Sequence, residues 1–185
     1  EGRANANKLM VRFVREAIAS YAARLVSWNG GNMRNAIPFE CEVIMNVPSD
    51  ITVRLMEAAP QFEKLYNEDF KGIEKNIEFK CEEVETPSTE VPIEIQDNLV
   101  DAFFACHDGV IRYIPSIPSI VETSSNLAII NIGGGKAEIK ILARSSSASM
   151  KEYLATTLQS CFNMAGMKVI LSGEYGGWDP DTNSQ

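Results

Sequence analysis

The chain has a single histidine, His107, which excludes a histidine-rich metal site. Its four cysteines, Cys41, Cys81, Cys106 and Cys161, stand far apart with no Cys-x-x-Cys pair, so a zinc knuckle is excluded too. A basic surplus is missing: 17 Lys and Arg face 25 Asp and Glu, a net charge of -8, and nucleic acid is not the expected partner because phosphate binding wants a basic surface. No apolar run approaches the roughly 20 residues of a membrane-spanning helix. The start lacks the basic-then-apolar pattern of a secretory signal. It opens on Glu-Gly-Arg and not on Met, as a processed or excised piece would. Ser145, Ser146 and Ser147 are not framed as a Gly-x-Ser-x-Gly elbow. Gly133, Gly134, Gly135 and Lys136 lack the spacing of a phosphate loop and fit a hairpin turn better. Reduced, buried thiols in a cytoplasmic protein are the expectation.

What is present suits one domain with a good core. The chain has 185 residues, 45% hydrophobic and 23% charged. Helical spacing marks residues 5–23, with Asn5 or Asn7 as cap, and residues 96–107, closed by Asp108 and Gly109. A further helix runs from a Ser49 or Asp50 cap to about Tyr66, with Pro60 as a break or kink. Residues 149–165 read as the best helix, with Met150, Tyr153, Leu154, Leu158, Cys161 and Phe162 in one stripe and Gly166 as its stop. Alternation marks strands at 24–28, 39–47 (Phe39, Cys41, Val43, Met45 and Val47 inward), 77–83, 123–132, 138–145 and 167–171. Residues 85–92 read as a loop, and two Ile-Pro steps in 111–119 predict irregular extended chain. Alternating strands imply a mostly antiparallel sheet. The fold class is therefore α+β: a two-layer sandwich with helices on one face, of ferredoxin-like type.

Residues 28–38 hold the densest polar chemistry. Gly30 and Gly31 permit a sharp turn and close approach to a ligand. Asn32 and Asn35 offer amides that donate and accept, and Arg34 offers a forked cation suited to a carboxylate. Set against this is a plain polar connection between strands. His107 with Asp101 or Asp108 could be drawn as a dyad, but a last-turn position favoured by the helix dipole explains it better. Taken by its residues, the chain reads as non-catalytic.

Five ordered motifs carry a resemblance. They are Gly-Arg-Ala-Asn-Ala-Asn-Lys-Leu (2–9), Asn-Gly-Gly-Asn-Met-Arg-Asn-Ala-Ile-Pro (29–38), Val-Glu-Thr-Ser-Ser-Asn-Leu (121–127), Leu-Ala-Arg-Ser-Ser (142–146) and Gly-Glu-Tyr-Gly-Gly-Trp-Asp-Pro (173–180). Together they resemble the aminoacyl-histidine dipeptidases, the cytosolic Xaa-His or carnosinase-like zinc peptidases. Ala4 stands where that family usually has Gly, and Gly176 where it has Pro. The resemblance implies a lid or dimerisation domain over residues 1–173 and a linker over 174–185 returning to an absent catalytic domain. It implies zinc held in that parent domain, no catalytic or metal residue in this chain, a dipeptide substrate and a homodimer. It also implies that Asn35 and Arg144, with Asn126 in support, bind the substrate carboxylate. Two alternatives stand beside it: a free-standing regulatory module binding a small amino acid, and a pure oligomerisation domain.

Overall fold

The computed structural model describes residues 2–173, so the tail at 174–185, with its linker role and most of the motif at 173–180, lies outside the described residues. Helix α1 (Ala6–Tyr21) starts where Asn5 caps it, its side-chain oxygen accepting from the Asn7 and Lys8 amides. The helix ends at Ala22 in the left-handed region, φ 49°. Strand β1 (Arg24–Gly30) pairs antiparallel with β2 (Cys41–Asn46), and α2 (Thr52–Asp69) continues through Pro60. Helix α3 (Ile93–Ala105) is followed by β3 (Gly109–Ile114), the 17-residue β4 (Ile117–Gly133), β5 (Lys136–Ser145) and α4 (Ala148–Met164), which Ser147 caps. All pairings between these strands are antiparallel, in the order β2-β1-β4-β3 with β5 on β4. The expected α+β class is what the chain forms.

One apolar layer joins sheet to helices. Trp28, Leu25, Leu127 and Ile130 from the strands meet Val11, Val14, Leu99, Phe103, Leu154 and Phe162 from α1, α3 and α4. Trp28 and Phe103 stack edge to face with centroids 5.4 Å apart. A second cluster joins α1 to α2: Phe13 packs edge-on against Phe62 and Phe79 at 5.2 and 4.8 Å. Tyr66, fully buried, donates its hydroxyl to the Leu9 carbonyl at 2.7 Å. The Lys8 ammonium closes the C-terminus of α3 on the carbonyls of Phe103, Phe104 and Cys106 at 2.7–2.9 Å, satisfying groups a helix end leaves bare. Arg3 forks onto Glu74 at 2.6 and 2.8 Å, and the Ala4 amide adds 3.0 Å, so the start of the chain is tied to the end of α2.

Several expectations are corrected. The irregular chain foreseen at 111–119 is a hairpin: Pro115 and Ser116 form the turn, where the fixed φ of proline suits a first turn position, and Ile114 pairs with Ile117. Pro118 lies within one of the three register shifts of the β3–β4 ladder, between the Tyr113–Val121 and Ile114–Ile117 pairs. Residues 77–83 and 167–171 keep strand-like alternation, with Phe79, Met167 and Val169 packed inward, but they join no ladder among the described residues. Alternation reports burial on one side and not the presence of a partner strand. Neither Ser49 nor Asp50 caps α2, whose cap position is Ile51 without a side-chain bond. Phe39, Phe104 and Tyr153 are exposed despite fitting apolar periodicities.

Candidate functional site

The long strand β4 has a notch on one side. β3 pairs with it as far as Ser125, and β1 takes over only from Ile130. Backbone groups in that gap need partners from elsewhere. Side chains supply them: the Leu127 amide donates to Asp108 Oδ1 at 2.8 Å, and the Leu127 carbonyl accepts from Asn5 Nδ2 at 3.2 Å and Asn7 Nδ2 at 3.3 Å. Asn7, fully buried, also gives Nδ2 to the Gly30 carbonyl and accepts the indole N–H of Trp28 at 3.0 Å. Asn5 gives Nδ2 to Asp108 Oδ1 at 2.8 Å and to Asn126 Oδ1 at 3.3 Å.

The double glycine is explained by this plug. A Cβ on Gly30 would stand 1.8 Å from Asn7 Oδ1; on Gly31, at φ +75°, it would stand 1.9 Å from the Ala128 carbonyl oxygen. The close approach anticipated at these glycines is to the protein's own chain. The loop 31–38 that follows is pinned at its ends, the Gly31 amide donating to the Glu40 carbonyl at 3.2 Å and the Ala6 amide to the Pro38 carbonyl at 2.9 Å. In its middle, Asn126 Nδ2 donates to the Ala36 carbonyl at 2.7 Å.

Asn35 and Arg34 are exposed on this loop. Arg144 is exposed near the end of β5, opposite Ser124 of β4, while Asn126 pairs with Leu142 two positions along. Asn126, two positions along β4 from the partner of Arg144, thus binds the carbonyl of the residue that follows Asn35. Among the described residues, Asn35, Arg34 and Arg144 make no hydrogen bond or ion pair, whereas Lys140 on the same face of β5 pairs with Glu138 at 3.2 Å. These side chains are polar, two of them cationic, and open to solvent, a chemistry that suits a small carboxylate.

His107 is not the last-turn residue expected. It follows α3, and its Nδ1 lies 2.7 Å from Ser125 Oγ. The Ser125 hydroxyl donates its one proton to the His107 carbonyl at 2.8 Å, so Nδ1 is the donor in that pair. Asp108 is spent on Asn5 and Leu127, which removes the drawn dyad with His107. Burial pushes the thiols of Cys41, Cys81, Cys106 and Cys161 up, Cys106 to about 12, so none is poised as a nucleophile. Among the described residues no group of three His, Cys, Asp or Glu side chains could hold a metal ion, and no helix is long and apolar enough to cross a membrane. Asn5, Asn7 and Asp108 carry the site's framework, whereas the sequence read Asn5 and Asn7 as caps and Asp108 as a helix stop or dyad partner; nothing in one sequence announces a notch between two non-adjacent strands.

Residues 1–85 match a family model described as a peptidase dimerisation domain. The curated cytosol non-specific dipeptidase of Escherichia coli (strain K12) is 32% identical over 183 residues, 99% of this chain and 38% of that protein. The crystal structure of aminoacylhistidine dipeptidase from Vibrio alginolyticus superimposes with a TM-score of 0.93 at 35% identity, over 100% of this chain and 38% of that one. The chain therefore spans a little over a third of the length of these relatives.

Proposed function

From a chain that carries a peptidase dimerisation domain related to dipeptidases, we propose the lid of a cytoplasmic dipeptidase that hydrolyses Xaa-His dipeptides. In this reading residues 1–173 cover an active site housed elsewhere in the parent, and 174–185 lead back to it. Asn35 and Arg144 grip the substrate's terminal carboxylate, and Asn126 supports the same site. What supports the reading is that Asn35 and Arg144 are exposed polar side chains without a partner among the described residues, on a chain that superimposes over its whole length on part of an aminoacylhistidine dipeptidase.

The metal belongs to the reading only through the parent. Zinc would supply Lewis-acid chemistry in the catalytic domain. The described residues of this chain offer no ligand set for it. What this chain contributes is binding and orientation. A guanidinium on a rigid strand offers two parallel donors to a carboxylate, and an asparagine amide adds a third. Homodimerisation through this domain completes the proposal. It is supported by the family match and by sheet edges at β2 and β5 left unpaired among the described residues.

The test is Arg144→Ala in the intact dipeptidase. A hydrogen bond to a charged group is worth about 1.5–3 kcal/mol, so kcat/KM falls roughly 10–150-fold while metal content stays constant. Unchanged kinetics would remove Arg144 from the substrate site.

A further inference from the structure

We infer that Asn126 is a positioning residue that holds the loop bearing Asn35, and that Asn5 and Asp108 set its orientation. The inference rests on the carboxylate-binding reading above for its functional meaning, but its structural content stands separately. The loop 31–38 is fixed to the body of the domain at its two ends by backbone bonds, and internally only the weak Ala36 amide to Met33 carbonyl bond at 3.4 Å braces it. Asn35 at its tip is exposed and has no partner among the described residues. Its placement therefore depends on the neighbouring peptide, and the one side chain recorded on that peptide is Asn126, at 2.7 Å from the Ala36 oxygen.

The direction of each amide in the chain of contacts is forced. The Ala36 carbonyl only accepts, so Asn126 must present its nitrogen there and its oxygen to Asn5. Asn5 must present its own oxygen to the Asn7 and Lys8 amides at the start of α1. That leaves its nitrogen for Asp108, Asn126 and the Leu127 carbonyl, all acceptors. Asp108, itself fixed by the Leu127 amide, anchors the series. Cap, notch and loop thus share one network, so a change of the Asn126 side chain reaches the loop through the Ala36 carbonyl while the backbone ladder of β4 and β5 keeps its own bonds. A misplacement of about 1 Å at a binding group can cost on the order of 100-fold in rate, which is why such a brace has consequences for turnover.

Asn126→Asp keeps the shape and the acceptor toward Asn5 but turns the donor facing Ala36 into a repelling oxygen. Asn126→Ala deletes both contacts without adding charge and serves if the first variant fails to fold. Backbone amide order parameters from NMR relaxation on the 185-residue chain should fall over residues 33–37, from the roughly 0.85 of rigid backbone towards about 0.6 or below, and stay unchanged at Ile130 and Ile139. In the intact dipeptidase, kcat/KM for a dipeptide with a free carboxylate should fall about tenfold or more, with little change for the same dipeptide as its C-terminal amide. Loop order parameters that stay at the wild-type values in both variants overturn the positioning role, whatever the kinetics. Lowered loop order parameters with equal effects on both substrates uphold the positioning role and refute the carboxylate-clamp reading.

Discussion

Gly30→Ala is a one-methyl change with a large expected effect, because the new carbon would sit 1.8 Å from Asn7 Oδ1, 2.8 Å from Asn7 Cγ and 3.0 Å from Cys41 Sγ. Asn7 and Trp28 are 0% and 1% exposed, so the displaced amide has no water to turn to. Moving it orphans the Trp28 indole N–H and strips a partner from Leu127, whose carbonyl keeps Asn5. A buried donor left unsatisfied costs about 1–3 kcal/mol. With the strain of shifting Asn7 and Cys41 added, the loss is about 2–4 kcal/mol, a large share of the roughly 5–15 kcal/mol of a typical domain. Asn7→Ala alone orphans the same indole and should cost a similar amount. In the double variant the new methyl meets only Cys41 Sγ at 3.0 Å, so the cost should stay close to that of Asn7→Ala alone, a favourable coupling of about 2 kcal/mol. Urea unfolding followed by far-ultraviolet circular dichroism measures all four proteins. Costs that add to within about 0.5 kcal/mol would refute the claim that Gly30 is there to admit Asn7.

Other consequences are as direct. Ala22→Gly should stabilise the chain by up to about 1 kcal/mol, since Ala22 holds φ 49° at the end of α1; a melting temperature that does not rise would contradict this. Lys8→Met should cost about 1–2 kcal/mol by baring three carbonyls at the end of α3, read by the same urea titration. The Arg3 hydrogen bond, helped by the Ala4 amide, holds the Glu74 carboxyl below its usual range. A depressed folded value contributes stability that is in place above the unfolded carboxylate's value of about 4.3 and is lost as pH falls through the folded value. Glu74→Gln should therefore shallow the acid limb of the stability curve below about pH 4, and an unchanged limb would refute the pairing.

Elements with both a period and a cap were legible from the sequence. Helix α1 begins at the Asn5 cap, α4 stops at Gly166, and the β4–β5 hairpin turns through Gly134 and Gly135 at φ 57° and 75° as the three glycines implied. Proline misled at 111–119, because Pro115 sits where a turn accepts it and Pro118 falls near the start of a strand, where a lost donor matters least. Phe39 misled by alternation alone, which cannot see that the strand begins two residues later. At the site, the exposed residues Asn35 and Arg144 were reachable by resemblance, and their surroundings were not. The notch in β4 exists because β1 and β3 pair with different halves of one strand, a fact about distant segments. The same two asparagines that read as caps turned out to plug it, and of the cysteines expected to be free, buried thiols all four are free but only Cys106 is buried, the others being half-buried.

The central claim is that this chain recognises the carboxylate of a dipeptide. It is tested most directly by the ratio of kcat/KM for a Xaa-His dipeptide to that for its C-terminal amide, in the intact dipeptidase with and without Arg144→Ala. The predicted result is a ratio well above one in the wild type that falls roughly tenfold or more in the variant, through loss on the free carboxylate alone. A ratio that Arg144→Ala leaves unchanged would contradict the account.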